Sequence, residues 1–289
     1  MPTESQPAKL EERIYSAHSQ ARHPWQGVRG MMRDLWIARD LAWQLFIREI
    51  SQRYRQSVFG FVWVVVPPVA TALLFVFLNS YKILNITTTD MPYPVYVMLG
   101  TVLWQIFAES VLAPLKAFQS CVPIMIKINM PREAPILAGV AQVLLFMIIQ
   151  MVLMVCLLLW FKVTFSPYML LAPGGMLALV VFGTTLGIFL VPLGGLYKDV
   201  TEGSGMFLRL MFFLTPVVYP PPREWPWSLV VTLNPVVPVL QGTRELMATG
   251  VMTDPLGFVL ACAGGVVALV VALFFYRISI PVVLERMGA

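Results

Sequence analysis

Residues 134–161 hold no charged side chain, and an uncharged run of that length constrains the fold more than any other feature of the chain. About 20 helical residues cross the roughly 30 Å of hydrocarbon in a bilayer, so the run reads as a membrane span over 136–160. Five other segments read the same way, at about 58–78, 93–115, 169–193, 205–219 and 255–276. Apolar residues make up 58% of the 289 and charged ones 12%, against about 25% charged in a typical soluble domain. The expectation is an all-α polytopic membrane protein with six transmembrane helices in a domain over 58–280.

Six crossings place both termini on one side. All but four of the twenty Lys and Arg residues fall on the N-terminal arm, the even-side loops and the C-terminal tail, the exceptions being Lys82, Lys162, Arg223 and Arg244. Positive charge marks the cytoplasmic face, so both termini are expected there, in a multi-pass protein. The formal charge of +5 is mostly this signature rather than a sign of nucleic-acid binding. Residues 1–30 lack the apolar core of a cleavable signal peptide. Pro2, Pro7, Pro24, Gly27 and Gly30 interrupt them, which suggests a flexible cytoplasmic arm, and 281–289 reads as a cytoplasmic tail. His18 and His23 have no carboxylate or cysteine cluster beside them. Cys121, Cys156 and Cys262 lack C-x-x-C spacing and read as small buried apolar residues, so neither a metal site nor a disulfide framework is expected.

Ahead of the first span, residues 31–57 form an amphipathic pattern. At 100° per residue, Trp36, Trp43, Phe46, Ile47, Ile50 and Tyr54 share one face, and Arg33, Asp34, Asp40, Gln44, Arg48, Gln52, Arg55 and Gln56 lie mostly opposite. Arg39 is the charge that intrudes on the apolar face. Such a helix lies in the membrane interface, either as an anchor or as a lever that carries force into the first span.

Three other features stand out. Pro67 and Pro68 remove two backbone donors within the first span and should kink or break it, leaving carbonyls that neighbouring helices or water must satisfy. The loop between spans two and three holds Lys116, Lys127, Arg132 and Glu133 around Pro123, Pro131 and Pro135, short and half apolar. It suits docking against a cytoplasmic protein, or a second helix lying on lipid. Between spans five and six, an apolar run over 228–241 is broken by Pro235 and Pro238 and is too short to cross, so it reads as an outer re-entrant hairpin anchored by Trp225 and Trp227.

No catalytic constellation is present. The chain has no G-x-x-x-x-G-K-[ST] phosphate loop, no G-x-S-x-G elbow and no H-E-x-x-H pair. Asp90, Glu224, Glu245 and Asp254, the acids expected on the outer face, are scattered rather than paired. A membrane-embedded enzyme acting on a lipid-linked sugar would depend on them. Glu109 lies inside the second span, where a carboxylate faces a cavity or a partner, or snorkels to the interface; Arg209 has the same ambiguity. Internal repeats and several midplane ionisable groups, the marks of an ion-coupled transporter, are missing. The energy source is therefore expected on another chain.

The order of several short motifs identifies a resemblance. R-D-L at 39–41, R-Y-R-Q-S at 53–57 with Gly60, Trp63 and Pro67, P-R-E at 131–133, Y-K-D-V at 197–200, T-P-V-V-Y-P at 215–220, and L-N-P at 233–235 followed by Arg244 together resemble the type-2 ABC exporter permeases of the polysaccharide and polyol-phosphate branch. The resemblance covers about residues 30–280. Phe59, Pro68 and Lys198 depart from the family's usual residues.

That resemblance implies a homodimer of six-helix permeases with two copies of a P-loop ATPase, exporting a lipid-linked polysaccharide across the cytoplasmic (inner) membrane. O-antigen is the first choice and capsule or teichoic acid the others, with a small-molecule or drug exporter of the same family as the alternative. ATP and Mg would sit on the ATPase, with no cofactor in this chain. It also implies that the interfacial helix, with Arg39, Asp40, Arg48, Arg53 and Arg55, and the loop with Lys127, Pro131, Arg132 and Glu133, contact the ATPases. The outer hairpin becomes a lid, with Tyr219, Trp225, Trp227, Asn234 and Arg244 as its gate residues. Aromatic faces stack on sugar C–H groups without fixing one sugar sequence, so Phe61, Trp63, Trp104 and Phe107, with Glu109, are candidates to line the channel. Packing against lipid is the alternative for the aromatics.

Overall fold

The structure, a computed structural model, describes residues 24–55, 59–60, 62–83, 91–127, 130–163, 166–222 and 224–288. Among these no strand occurs, and nine α-helices follow one another: α1 Pro24–Arg55, α2 Val62–Ser80, α3 Tyr93–Met125, α4 Ala134–Trp160, α5 Ala172–Leu196, α6 Asp199–Leu214, α7 Trp227–Leu233, α8 Val236–Ala248 and α9 Pro255–Gly288. A 3-10 turn at Pro167–Leu171 leads into α5. The chain is an all-α polytopic membrane protein. Five helical segments, α2, α3, α4, α5 with its 3-10 turn, and α9, are long and apolar enough to cross a bilayer.

The fifth expected span, 205–219, differs. Its helix runs from Asp199 to Leu214, and Thr215 adopts extended backbone (φ −90°, ψ 136°). Pro216 explains the stop, because a proline ring clashes with a helical conformation in the residue before it. Sixteen residues make a helix of about 24 Å, shorter than the hydrocarbon layer. Asp199 and Glu202 sit in its first turn, where the helix dipole favours negative charge.

Other boundaries move outward. α1 begins at Pro24, inside the stretch expected to be a flexible arm, since proline suits a first helical turn and each interior glycine costs only about 1 kcal/mol. α3 continues ten residues past position 115 because Ala117, Phe118, Cys121, Val122 and Met125 give it a buried stripe at helical spacing. α9 continues through Arg277 and Pro281 to Gly288, well into the expected tail, with Tyr276, Ile280 and Val283 buried along one side. α2 remains helical through Pro67 and Pro68 rather than breaking. Of the cysteines, Cys121 is buried, Cys262 half-buried and Cys156 exposed.

α3 is the spine. It packs most extensively on α5 and α4, and also contacts α2, α6 and α8. Gly183 and Gly187 of α5 form a G-x-x-x-G stripe that admits this approach. A Cβ at Gly183 would strike Ser110 and the Phe107 carbonyl, and one at Gly187 the Val111 carbonyl. Without a hydrophobic drive between helices in lipid, such close backbone contact is the main source of association.

The buried side chains form two clusters. One joins the first half of α3 to α5 and α8, at what we call the hairpin end. The other joins α1 to the last turns of α3, α5 and α9 and the first turns of α4, at the α1 end.

Candidate functional site: two ends and a middle

α1 carries two apolar faces rather than one. Ala38, Ala42, Leu45 and Phe46 are buried where the helix packs on α4. Trp36, Trp43 and Ile47, on the opposite side, are exposed. The guanidinium of Arg39 lies 4.1 Å from the centre of the Trp36 ring and its Nε donates to Asp40 at 3.3 Å. The intruding charge thus rests on an aromatic face, which attracts a cation through its quadrupole. Arg48 and Arg55 are exposed on the same helix, as is Lys127 after α3. The side chain of Arg53 lies outside the described residues.

Pro131, Arg132 and Glu133 are half-buried immediately before α4. A residue that sequence reasoning missed holds them: the hydroxyl of Tyr276, on α9 and 2% exposed, donates to the Arg132 carbonyl at 2.6 Å. The Tyr276 ring meets Phe118 edge to face at 6.3 Å. A tyrosine just before Arg277 at the end of an apolar run was the available signal, although nothing in the sequence pairs it with a loop 144 residues away.

In the middle of the bundle the aromatic candidates divide. Phe61 lies outside the described residues. Trp63 is exposed on α2. Trp104 and Phe107 are buried at 5% and 2% exposure, packed on each other at 5.2 Å and, for Trp104, against Phe212 of α6 at 6.1 Å. As placed here they are core of the single chain, covered by α5 and α6. Glu109 is half-buried on α3. The exposed large apolar side chains of this region are instead Leu73, Leu74 and Phe77 of α2 and Met206, Phe207, Leu210 and Phe213 of α6.

At the hairpin end, residues 215–219 follow α6 without helical structure, yet Thr215, Val217 and Val218 are buried. Buried carbonyls need donors, and side chains from two elements supply them. From α3, Tyr96 donates to the Tyr219 carbonyl at 2.9 Å and Tyr93 to the Val218 carbonyl at 3.2 Å. From α8, Arg244 donates to the Val217 carbonyl at 3.0 Å and the Pro216 carbonyl at 3.4 Å. Asn234, between α7 and α8, donates to the Thr215 hydroxyl at 3.0 Å and accepts from the Val236 amide at 3.1 Å.

Arg244 is 3% exposed, and a buried cation is tolerated only when hydrogen-bonded or paired. Besides the carbonyls, its guanidinium lies 3.8 Å from the centre of the Tyr96 ring. Tyr219 also donates to the Phe213 carbonyl at 2.7 Å, closing the end of α6. Trp225 and Trp227 are exposed. Among the described residues no group of three or more His, Cys, Asp or Glu side chains could hold a metal ion. Irregular segments at both ends are tied by side chains from distant helices, residues 215–219 by α3 and α8 and the loop before α4 by α9.

Comparison with known proteins follows the same lines. A family described as ABC-2 type transporter matches residues 40–248. The O-antigen export system permease protein RfbA of Klebsiella pneumoniae is 24% identical to this chain, over 80% of it and 89% of the relative. That of Myxococcus xanthus is 26% identical over 75% and 83%. The polysialic acid transport protein KpsM of Escherichia coli is 22% identical over 81% and 91%.

Proposed function

The chain belongs to the ABC-2 type transporter family, and from that premise we propose that it is the membrane subunit of an ATP-driven exporter of lipid-linked polysaccharide, with O-antigen as the substrate class. The observation that carries this reading is the likeness, along most of the chain, to relatives named for O-antigen export and polysialic acid transport. The absence of a phosphate loop from the sequence fits a subunit whose ATP and Mg are bound on a separate ATPase.

The working assembly is a homodimer above two ATPase chains, in the cytoplasmic membrane, with both termini on the cytoplasmic side. α6 and the irregular residues after it make the sixth crossing. The exposed apolar faces of α2 and α6 suit the boundary between two permeases, where the path opens, and Trp63 and Phe77 lie on that boundary. ATP-driven closure of the ATPases acts on α1 and on the loop before α4, and Tyr276 passes the displacement to α9. The segment over 215–219 and the α7–α8 hairpin form the outer gate.

Deleting the gene and measuring surface polysaccharide, together with affinity purification of the tagged chain, tests the reading. Loss of surface polysaccharide and recovery of a P-loop ATPase are expected. Unchanged polysaccharide with no such partner overturns it.

A further inference from the structure

Pro67 and Pro68 have no backbone N–H, so the helix bonds that would reach the carbonyls four residues earlier, at Trp63 and Val64, cannot form. In a membrane an unsatisfied carbonyl costs several kcal/mol, and helix α2 nevertheless runs unbroken through both prolines. The structure shows where one missing donor comes from. The side-chain amide of Gln150, on α4, donates to the Val64 carbonyl at 3.2 Å. The same nitrogen donates to Oε1 of Gln105, on α3, at 3.3 Å.

A carbonyl can only accept, which fixes the amide's orientation: its NH2 group faces Val64 and its second proton goes to Gln105. Gln150 is 0% exposed. Burying an amide is unfavourable unless its bonds are made. The Gln150 nitrogen makes two, while its Oε1 has no hydrogen-bond partner among the described residues, so the side chain is placed by its donor, at the gap that Pro68 leaves. Three helices, α2, α3 and α4, contact one another and meet at this group.

We infer that Gln150 is a positioning residue for α2: its amide replaces the helix hydrogen bond that Pro68 deletes and ties the path-facing helix to α3 and α4 at that depth. Gln105 holds the amide in place. The consequence for transport rests on the function proposed above, whereas the bond itself does not.

A double-mutant cycle between Pro68→Ala and Gln150→Leu separates this role from packing. Alanine at 68 restores an N–H that can reach Val64, so the amide becomes partly redundant. In the native background Q150L should lower the thermal midpoint of the detergent-purified permease by roughly 3 °C, the shift for about one hydrogen bond in a protein of this size. In the P68A background that loss should fall to half or less. The extra loss of export caused by Q150L, per folded complex in cells, should shrink in parallel.

Equal losses in both backgrounds, in midpoint or in export, overturn the inference. Gln105→Leu is the second test: it keeps the bond to Val64 and should cost less than Q150L. If it costs as much, the amide pair alone matters and the inference fails. A thermal interaction in a protein whose native form supports no polysaccharide export supports the bond and overturns the transport reading.

Discussion

At the hairpin end, a charged guanidinium and two tyrosine hydroxyls hold the irregular segment 215–219. At the α1 end, the neutral hydroxyl of Tyr276 holds the loop before α4. Hydrogen bonds to charged groups contribute about 1.5–3 kcal/mol net and neutral ones about 0.5–1.5. The hairpin end is therefore built as a fixed frame, and the α1 end as a contact that can be exchanged for another. On the function proposed above, in which ATPases act at the α1 end, that asymmetry lets one end yield while the other keeps its shape.

The spine shared by both ends is the most sensitive part. Gly183→Leu drives a side chain into the Phe107 carbonyl and Ser110, and the folded yield in membranes should fall to near nothing, read by size-exclusion of the solubilised protein. Arg244→Met removes the buried cation and its bonds to two carbonyls. The cost should be about 3 kcal/mol, seen as the largest midpoint shift among the end variants. Arg244→Lys keeps the charge but loses the planar fork over Tyr96 and should cost about half as much.

Tyr276→Phe should cost about 1 kcal/mol of stability, with the larger effect on function. Export should fall about fivefold while ATPase binding persists, because the loop is still present but no longer tied to α9. A stability loss matching that of R244M would erase the contrast between the ends. The smallest effect is expected at Trp43, exposed and opposite the α4-facing stripe. W43A should leave the thermal midpoint within about 0.5 kcal/mol of the native protein and lower export modestly.

How far the sequence could be read depended on whether the physics was local. Hydropathy located the segments that form α2, α3, α4, α5 and α9, each long and apolar enough to cross a bilayer, because a long apolar run needs no partner to declare its solvent. The stop at Thr215 was readable in principle from Pro216, yet apolar Val217 and Val218 drew the expected span past it. The Trp36 and Trp43 face of α1 was visible on a helical wheel. The face that packs on α4 was not: the wheel grouped Phe46 with the tryptophans, whereas it is buried with Ala38, Ala42 and Leu45, and the two alanines carry too little hydropathy for anything but a neighbouring helix to reveal the contact.

The site residues divide on the same principle. Arg244, Asn234 and Tyr219 were singled out from the sequence, and the structure brings them to one segment. Tyr276, Tyr93 and Tyr96 were missed, because each acts on a carbonyl more than 100 residues away. Trp104 and Phe107 look in the sequence like any membrane aromatics, and only the packing of α5 and α6 puts them inside the subunit.

The sequence by itself determined the solvent, the helical class and the carbonyl that Pro68 leaves open, all consequences of composition and of one residue's chemistry. Which side chain reaches that carbonyl, which faces turn inward, and which end is held by a charge were decided by the tertiary structure. These depend on bringing distant residues within about 3 Å, the range over which a hydrogen bond acts.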